Sequence, residues 1–431
     1  MARRRRSTTL LSLACVLPAL LLVTLPGFTQ TPTRDHPFPR VESGRRWGPF
    51  LVEPHFVIDN IGYDDNIYLV PKELQEPETD FVLRLGPEVT GQTRFGHRVA
   101  LTIYDKLSGE VFLRHSDLNH ADNDLKTQLD IFLNRFLLTT KIRWWTYRQR
   151  PNSEIDERTR RDSRDFRQGL RLFVSEKVDL YGEVRRNRIR YTDPDYRYRV
   201  DPDGDGTWQT VTIGEALDRD QDEVSLEVGW RPRGTARLFL RYRSRREDFL
   251  YDGLGRDSRE RRREIGLELR PKSYLSGRIS FGRARLRDED DLFDYREFDG
   301  SVSRVRVTWK PTGVTRFLGK VERDVRFSTF ENNLYYEYRL RELRVESFLG
   351  SVWGLQAGWS LRKLDWPEES TISIPGERRH DEITEKFVGV LVRLPGGVDL
   401  GLRFGVRDRT SNIAWAEDHQ NYIMTTGRYA F

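Results

Sequence analysis

Tyr422-Ile423-Met424-Thr425-Thr426-Gly427-Arg428-Tyr429-Ala430-Phe431 closes the chain, and Ile423, Thr425, Gly427, Tyr429 and Phe431 occupy alternate positions of it. A period of two places these five side chains on one face of a strand, with an aromatic edge at its end. A strand of this kind fits the closing strand of a membrane barrel, whose aromatic residues stand at the membrane interface.

The same alternation runs through the chain. Val224, Leu226, Val228 and Trp230 alternate with Glu223, Ser225, Glu227 and Gly229, and Leu400, Leu402, Phe404 and Val406 with Asp399, Gly401, Arg403 and Gly405. No helical 3.6-residue spacing is sustained. Short turns, such as Phe95-Gly96-His97, Pro271-Lys272-Ser273 and Pro395-Gly396-Gly397, alternate with longer charged segments at 64–78, 152–162, 192–221, 288–297 and 366–380. Short turns at one end and long loops at the other are the outer-membrane pattern. The expected fold is all-β: a transmembrane antiparallel β-barrel of about 18 strands, with 16 if the weak segments near 114–133 and 333–348 are not strands, short periplasmic turns and long extracellular loops.

Composition excludes a helical membrane protein. Charged residues make up 32% of the chain and the mean hydropathy is -0.68, yet aromatic residues reach 12%. A barrel reconciles these values, because only alternate residues meet hydrocarbon and interfacial girdles use aromatic side chains. Gly229-Trp230-Arg231-Pro232, Leu269-Arg270-Pro271 and Thr308-Trp309-Lys310-Pro311 recur at about 40 residues, the length of a hairpin with its loops.

The N-terminus carries an export pattern. Arg3 to Arg6, the apolar stretch Leu10 to Leu25 and the small-residue site Gly27-Phe28-Thr29 read as a signal peptide over residues 1–29. A periplasmic segment at 30–47 and a barrel over 48–431 complete the expected organisation. The single cysteine, Cys15, falls in the signal, so a disulfide framework is excluded from the remainder.

If apolar stripes face lipid, the opposite face lines the lumen. That rule gathers Arg143, Arg171, Arg185, Arg237, Arg241, Arg243, Arg304, Arg306, Arg341, Arg403 and Arg407 as lumen anion-binding candidates, with Arg339 and the acids Asp179, Glu227, Glu322 and Glu337 beside them. Lumen acids count about half the bases under this rule. Fixed positive charge in a low-dielectric wall concentrates anions, and a guanidinium pairs bidentately with carboxylate or phosphate. The competing reading is a structural ladder of Arg and Glu pairs across neighbouring strands.

Asp201-Pro202-Asp203-Gly204-Asp205-Gly206 reproduces the opening of a calcium loop, in which Asp201, Asp203 and Asp205 would converge on the cation. Position 12 is Thr212 rather than a bidentate Glu, so a weak loop calcium is the one cofactor expected. The seven histidines are scattered and flank no nucleophile motif, which argues against an enzyme. His115 and His120 bracket a loop tip with Asp117, Asn119 and Asp122, where a metal competes with ordinary loop polarity.

Two resemblances add to this. The C-terminal Tyr429 and Phe431 resemble the signal read by the barrel assembly machinery, with Gly427 one place later than the usual pattern. Gly48-Pro49-Phe50-Leu51-Val52-Glu53-Pro54-His55-Phe56, followed by Gly62-Tyr63-Asp64-Asp65-Asn66-Ile67-Tyr68, resembles the opening of the β-barrel porin families found with exopolysaccharide biosynthesis and export. The resemblance implies an outer-membrane channel for anionic solutes or an anionic exopolysaccharide. A general porin, or a structural or adhesive barrel without an open pore, is the alternative. The partners implied are outer-membrane lipid and lipopolysaccharide, the assembly machinery and the transported anion, with no nucleic acid. Asp64, Asp65 and Asn66 are either a rim cation site or turn chemistry.

Overall fold

The computed structural model describes residues 44–150, 154–155, 158–192, 197–200, 209–269, 274–290, 295–370 and 373–430. Residues 1–29, expected to be a signal peptide, the Asp201–Gly206 motif, the Pro271-Lys272-Ser273 segment and Phe431 lie outside the described residues.

Strand alternation builds one sheet that closes on itself. Eighteen antiparallel strands form the barrel, from Phe50–Asp64 to Asp418–Ala430, and both weak segments are strands, at His120–Leu133 and Tyr335–Leu349. Closure pairs His55 with Ala430 and Asp64 with Tyr422, with a bulge between Ile58 and Ile61. Closing the sheet pairs the first strand with the last and leaves no free edge in hydrocarbon. A further short strand, Arg45–Trp47, folds back on Phe50–Val52 through a turn in which Gly48 has φ +59.

Lipid-facing positions carry the apolar stripes. Leu226, Leu240, Ile265 and Phe281 each leave more than half their surface open on the outer wall. Trp230, Trp309 and Trp353 are exposed beside the short turns, and Trp309 stacks on Phe317 with ring centroids 5.1 Å apart. These rings form the girdle of that interface. Tyr429 is exposed on the outer face with Ile423.

Toward the long-loop end the rule reverses. Tyr336, Tyr338 and Leu340 point inward and pack with Leu364, Trp366, Ile383 and Ile413. Ile189, Tyr191 and Leu254 pack with Ile213 and Leu217 of a short helix, Ile213–Leu217, in the longest loop. Thr212 caps that helix in a reciprocal capping box with Glu215. The apolar cores of this protein therefore lie inside the barrel mouth, where loops fold against the wall.

Candidate functional site: the lumen

Where each predicted arginine stands follows from the strand faces. Arg143, Arg171, Arg185, Arg237, Arg241, Arg243, Arg304, Arg306, Arg403 and Arg407 share faces with buried wall residues and lie opposite the lipid stripe. Arg341 does not. It shares its face with Leu343 and Leu349, both exposed on the outer wall, as do Arg339 and Glu337 on the same strand. Their placement in the lumen is corrected: the apolar face opposite them, Tyr336, Tyr338 and Leu340, does not meet lipid but packs inward beneath the loops.

The inner wall also holds more acid than the alternation suggested. Asp59, Asp122, Asp124, Asp165, Glu260, Asp324, Asp381 and Glu385 all engage cations there. Arg143 bonds Asp124 at 2.6 and 3.0 Å, Arg185 bonds Asp165 at 2.6 Å, and Arg407 bonds Asp418 at 2.6 Å. Arg243 lies 2.9 Å from Glu260, and Arg304 reaches Glu322 and Asp324 at 3.1 and 3.0 Å. Arg237 is the most enclosed: it donates to both oxygens of Asp179 at 3.1 and 2.7 Å and to Glu227 at 2.6 Å. Arg241 also binds Glu227, and Arg171 reaches Asp179 only at 4.0 Å. These guanidiniums stiffen the wall, and their field is largely cancelled by their neighbours.

A few cations are left over. Arg306 carries no ion pair among the described residues and lies in register between Arg278 and Lys320. Arg403 donates to the side-chain amide oxygen of Gln356 at 2.9 Å and, among the described residues, meets no carboxylate within ion-pair distance. Neither does Arg344, which the sequence reading missed because it chose the wrong face of that strand. Both guanidiniums lie over the ring of Phe387, Arg403 at 5.0 Å and Arg344 at 5.5 Å from its centre. The row that holds Arg344 and Phe387 alternates large and small: Arg344, Gly358, Phe387, Gly405 and Tyr422 are successive cross-strand neighbours. A Cβ on Gly358 would overlap the Phe387 ring, so glycine there lets the ring lie flat on the wall.

A lumen pocket of about 390 Å³ lies at the closure, lined by Asp59, Arg84, Lys106, Glu110, Arg158 and Met424. Its charges are matched: Lys106 meets Asp59 at 2.6 Å, and Arg84 meets Asp122 at 2.6 Å. Glu110, His120 and Asp122 converge closely enough to hold a metal, but Arg84 already occupies the centre of their charge. His115 instead clasps Glu78 and Asp80. Asp64, Asp65 and Asn66 perform turn chemistry: the Asn66 amide donates to Asp64 at 2.9 Å, and its side chain reaches the carbonyls of Val70 and His419 at 2.9 Å.

The mouth is crossed by a loop. Glu154, between the strands Phe136–Gln149 and Thr159–Phe173, accepts from the Ser328 hydroxyl at 2.5 Å, the Thr329 amide at 2.6 Å and the Thr329 hydroxyl at 2.7 Å. Ser328 and Thr329 follow a strand nearly half the circumference away. Arg256 holds the same segment, donating to the Glu331 carbonyl at 2.9 Å and to that of Ser328. At the near side, Arg158 donates to the Ile67 carbonyl at 3.2 Å.

A closed barrel with long loops at one end, girdled by aromatic residues and lined by charge, is the architecture of a porin, and the family model described as "Putative beta-barrel porin 2" matches residues 39–430. The chain belongs to this family. Porins of this architecture reside in the bacterial outer membrane, and that is the location of this barrel. Among solved structures it is similar to the outer membrane protein opdK from Pseudomonas aeruginosa, with 10% identity, 88% of this chain and 99% of the other covered, and a TM-score of 0.50. It is similar also to OccK2 (OpdF) from Pseudomonas aeruginosa, with 11% identity, 88% and 98% covered, and a TM-score of 0.50. At such identity the likeness is one of fold. Comparison with curated proteins finds no match.

Proposed function

We propose that this porin conducts small carboxylated or otherwise anionic solutes, selected by the unpaired guanidiniums of its lumen. The observation that carries the reading is the pair Arg344 and Arg403 on Phe387, with no carboxylate of the described residues at ion-pair distance. Two forks over one apolar ring offer bidentate hydrogen bonds to a carboxylate and an apolar surface for its carbon skeleton. Arg306 extends the positive field along the wall.

The loop tied across the mouth by Glu154 favours small solutes over an anionic exopolysaccharide, which needs a continuous bore. The paired arginines Arg237, Arg241 and Arg243 serve the wall in this reading. Reversal potentials in planar bilayers under a potassium chloride gradient test it: chloride preference is expected, and cation preference or absence of conductance rejects it.

A further inference from the structure

The outer wall carries a cationic ladder that the channel reading does not use. On the adjacent strands Ser258–Leu269 and Leu275–Asp288, Arg263 stands directly opposite Arg283, Arg261 opposite Arg285, and Arg259 opposite Arg287. All six share the face of Ile265 and Phe281, the lipid-facing residues that immediately precede them toward the short turns. Like charges directly opposite on one face destabilise a sheet. Three such pairs in succession therefore call for counter-charge from somewhere.

The wall supplies only part of it. Arg283 meets Asp299 at 2.6 Å, Arg285 and Arg287 share Glu297 at 3.4 Å each, and Arg259 meets Glu289 at 2.9 Å. Arg261 and Arg263 have no ion-pair partner among the described residues, and both are exposed. Arg283 keeps 73% of its side chain open even while paired.

Height decides what they meet. Leu275 begins the apolar stripe beside the short turn, and Arg283 lies eight residues further along the strand. With a rise of about 3.3 Å per residue and a strand tilt of about 40°, that is roughly 20 Å up the barrel, near the top of an apolar band about 25 Å tall. The long-loop end of outer-membrane barrels faces the cell exterior, so the ladder stands at the headgroup level of the outer leaflet.

We infer that Arg261, Arg263 and Arg283 form a binding site for the phosphate groups of an outer-leaflet glycolipid, lipopolysaccharide in chemical class. Its phosphates supply the missing counter-charge through charge-assisted bonds to the guanidinium forks, and its acyl chains lie on Ile265 and Phe281. Tyr242, directly opposite Arg263 on the next strand, borders the site at the interface.

The full chain, purified in mild detergent, is titrated by native mass spectrometry with bis-phosphorylated lipid A, with dephosphorylated lipid A and with inorganic phosphate. The first is expected to bind at least tenfold more tightly than the second, and phosphate alone to form no retained adduct. R261Q/R263Q is expected to reduce lipid A binding at least tenfold, with barrel content by circular dichroism unchanged. Equal binding of the two lipids, retention of phosphate alone, or unaltered binding by the folded double variant overturns the site. Should the variant fail to fold, the comparison of lipids on the unaltered protein still decides.

Discussion

The indole Nε1 of Trp366 donates to the Glu154 carboxylate at 2.7 Å, tying a loop that leaves the fifth barrel strand to the wall at the fifteenth. Ser328 and Thr329 donate to the same carboxylate. One acid thus collects donors from two distant parts of the sequence and fixes how far the loop reaches over the lumen.

Replacing it with alanine strands those buried donors, at a cost of about 2–4 kcal/mol of local stability. Glu154→Ala is expected to loosen the crossing without opening the barrel. Single-channel recordings should show larger and noisier conductance, while the strand signal in circular dichroism stays unchanged. Conductance identical to that of the unaltered protein would show that the loop does not limit the pore.

Arg237 offers a test of the wall. It is buried with Asp179 and Glu227, so Arg237→Ala leaves two carboxylates facing each other with fewer partners; Arg231 and Arg241 remain. Breaking a buried pair in this way costs about 3–5 kcal/mol. The heat-induced mobility shift on gels should fall to lower temperature, with ion selectivity little changed. A variant as stable as the parent would mean that Arg237 is not a strut.

Mildly acidic conditions are expected to tighten the mouth. His115, in the loop after Val99–Phe112, bonds Asp80 at 2.8 Å and Glu78, and these acids raise its pKa. A raised histidine pKa contributes stability that is fully present below the ordinary value near 6.5 and is lost as pH rises through the folded one. Asp257, in the loop before Ser258–Leu269, is pushed up to about 6 by burial. Its folded state binds the proton more tightly than the unfolded chain does, so stability falls between about pH 4 and 6 as that proton leaves. Both signs agree. Hydrogen exchange at residues 113–119 and 250–257 should be slower at pH 5 than at pH 8, after correction for intrinsic rates. Faster exchange at the lower pH contradicts both assignments.

Much of the fold was legible because the barrel imposes a period of two. Leu226, Leu240 and Leu402 face outward as the alternation requires, and the hairpin lengths yielded the strand number. Legibility ended where the inner wall turns apolar. At Tyr336, Tyr338 and Leu340 the hydrophobic face packs under loops, and a rule equating apolar with lipid placed Arg341 inside and overlooked Arg344. The crossing by Glu154 could not be read at all, since its partners lie 174 or more residues away and no local pattern announces a long-range bond. Ion pairing is one of the two readings the lumen charges allow, and the acids that realise it, among them Asp165 and Glu260, are visible only once register fixes which strand faces which.

Selectivity separates the paired arginines from the free ones. Arg241 and Arg304 already face Glu227, Glu322 and Asp324, so reversing them adds acid to acid and mainly weakens the wall. Arg344 and Arg403 face no such partners among the described residues, and their charge reaches the solvent path with less cancellation. Arg344→Glu with Arg403→Glu is expected to move the reversal potential toward that of a cation-preferring pore, and to weaken block by a small dicarboxylate at least tenfold. The mechanism is reversal of the local field and loss of both forks. Arg344→Lys with Arg403→Lys keeps the charge and loses the planar fork, so anion preference should survive while dicarboxylate block weakens. If the glutamate pair leaves reversal potential and block unchanged, the Phe387 platform is not where anions are chosen.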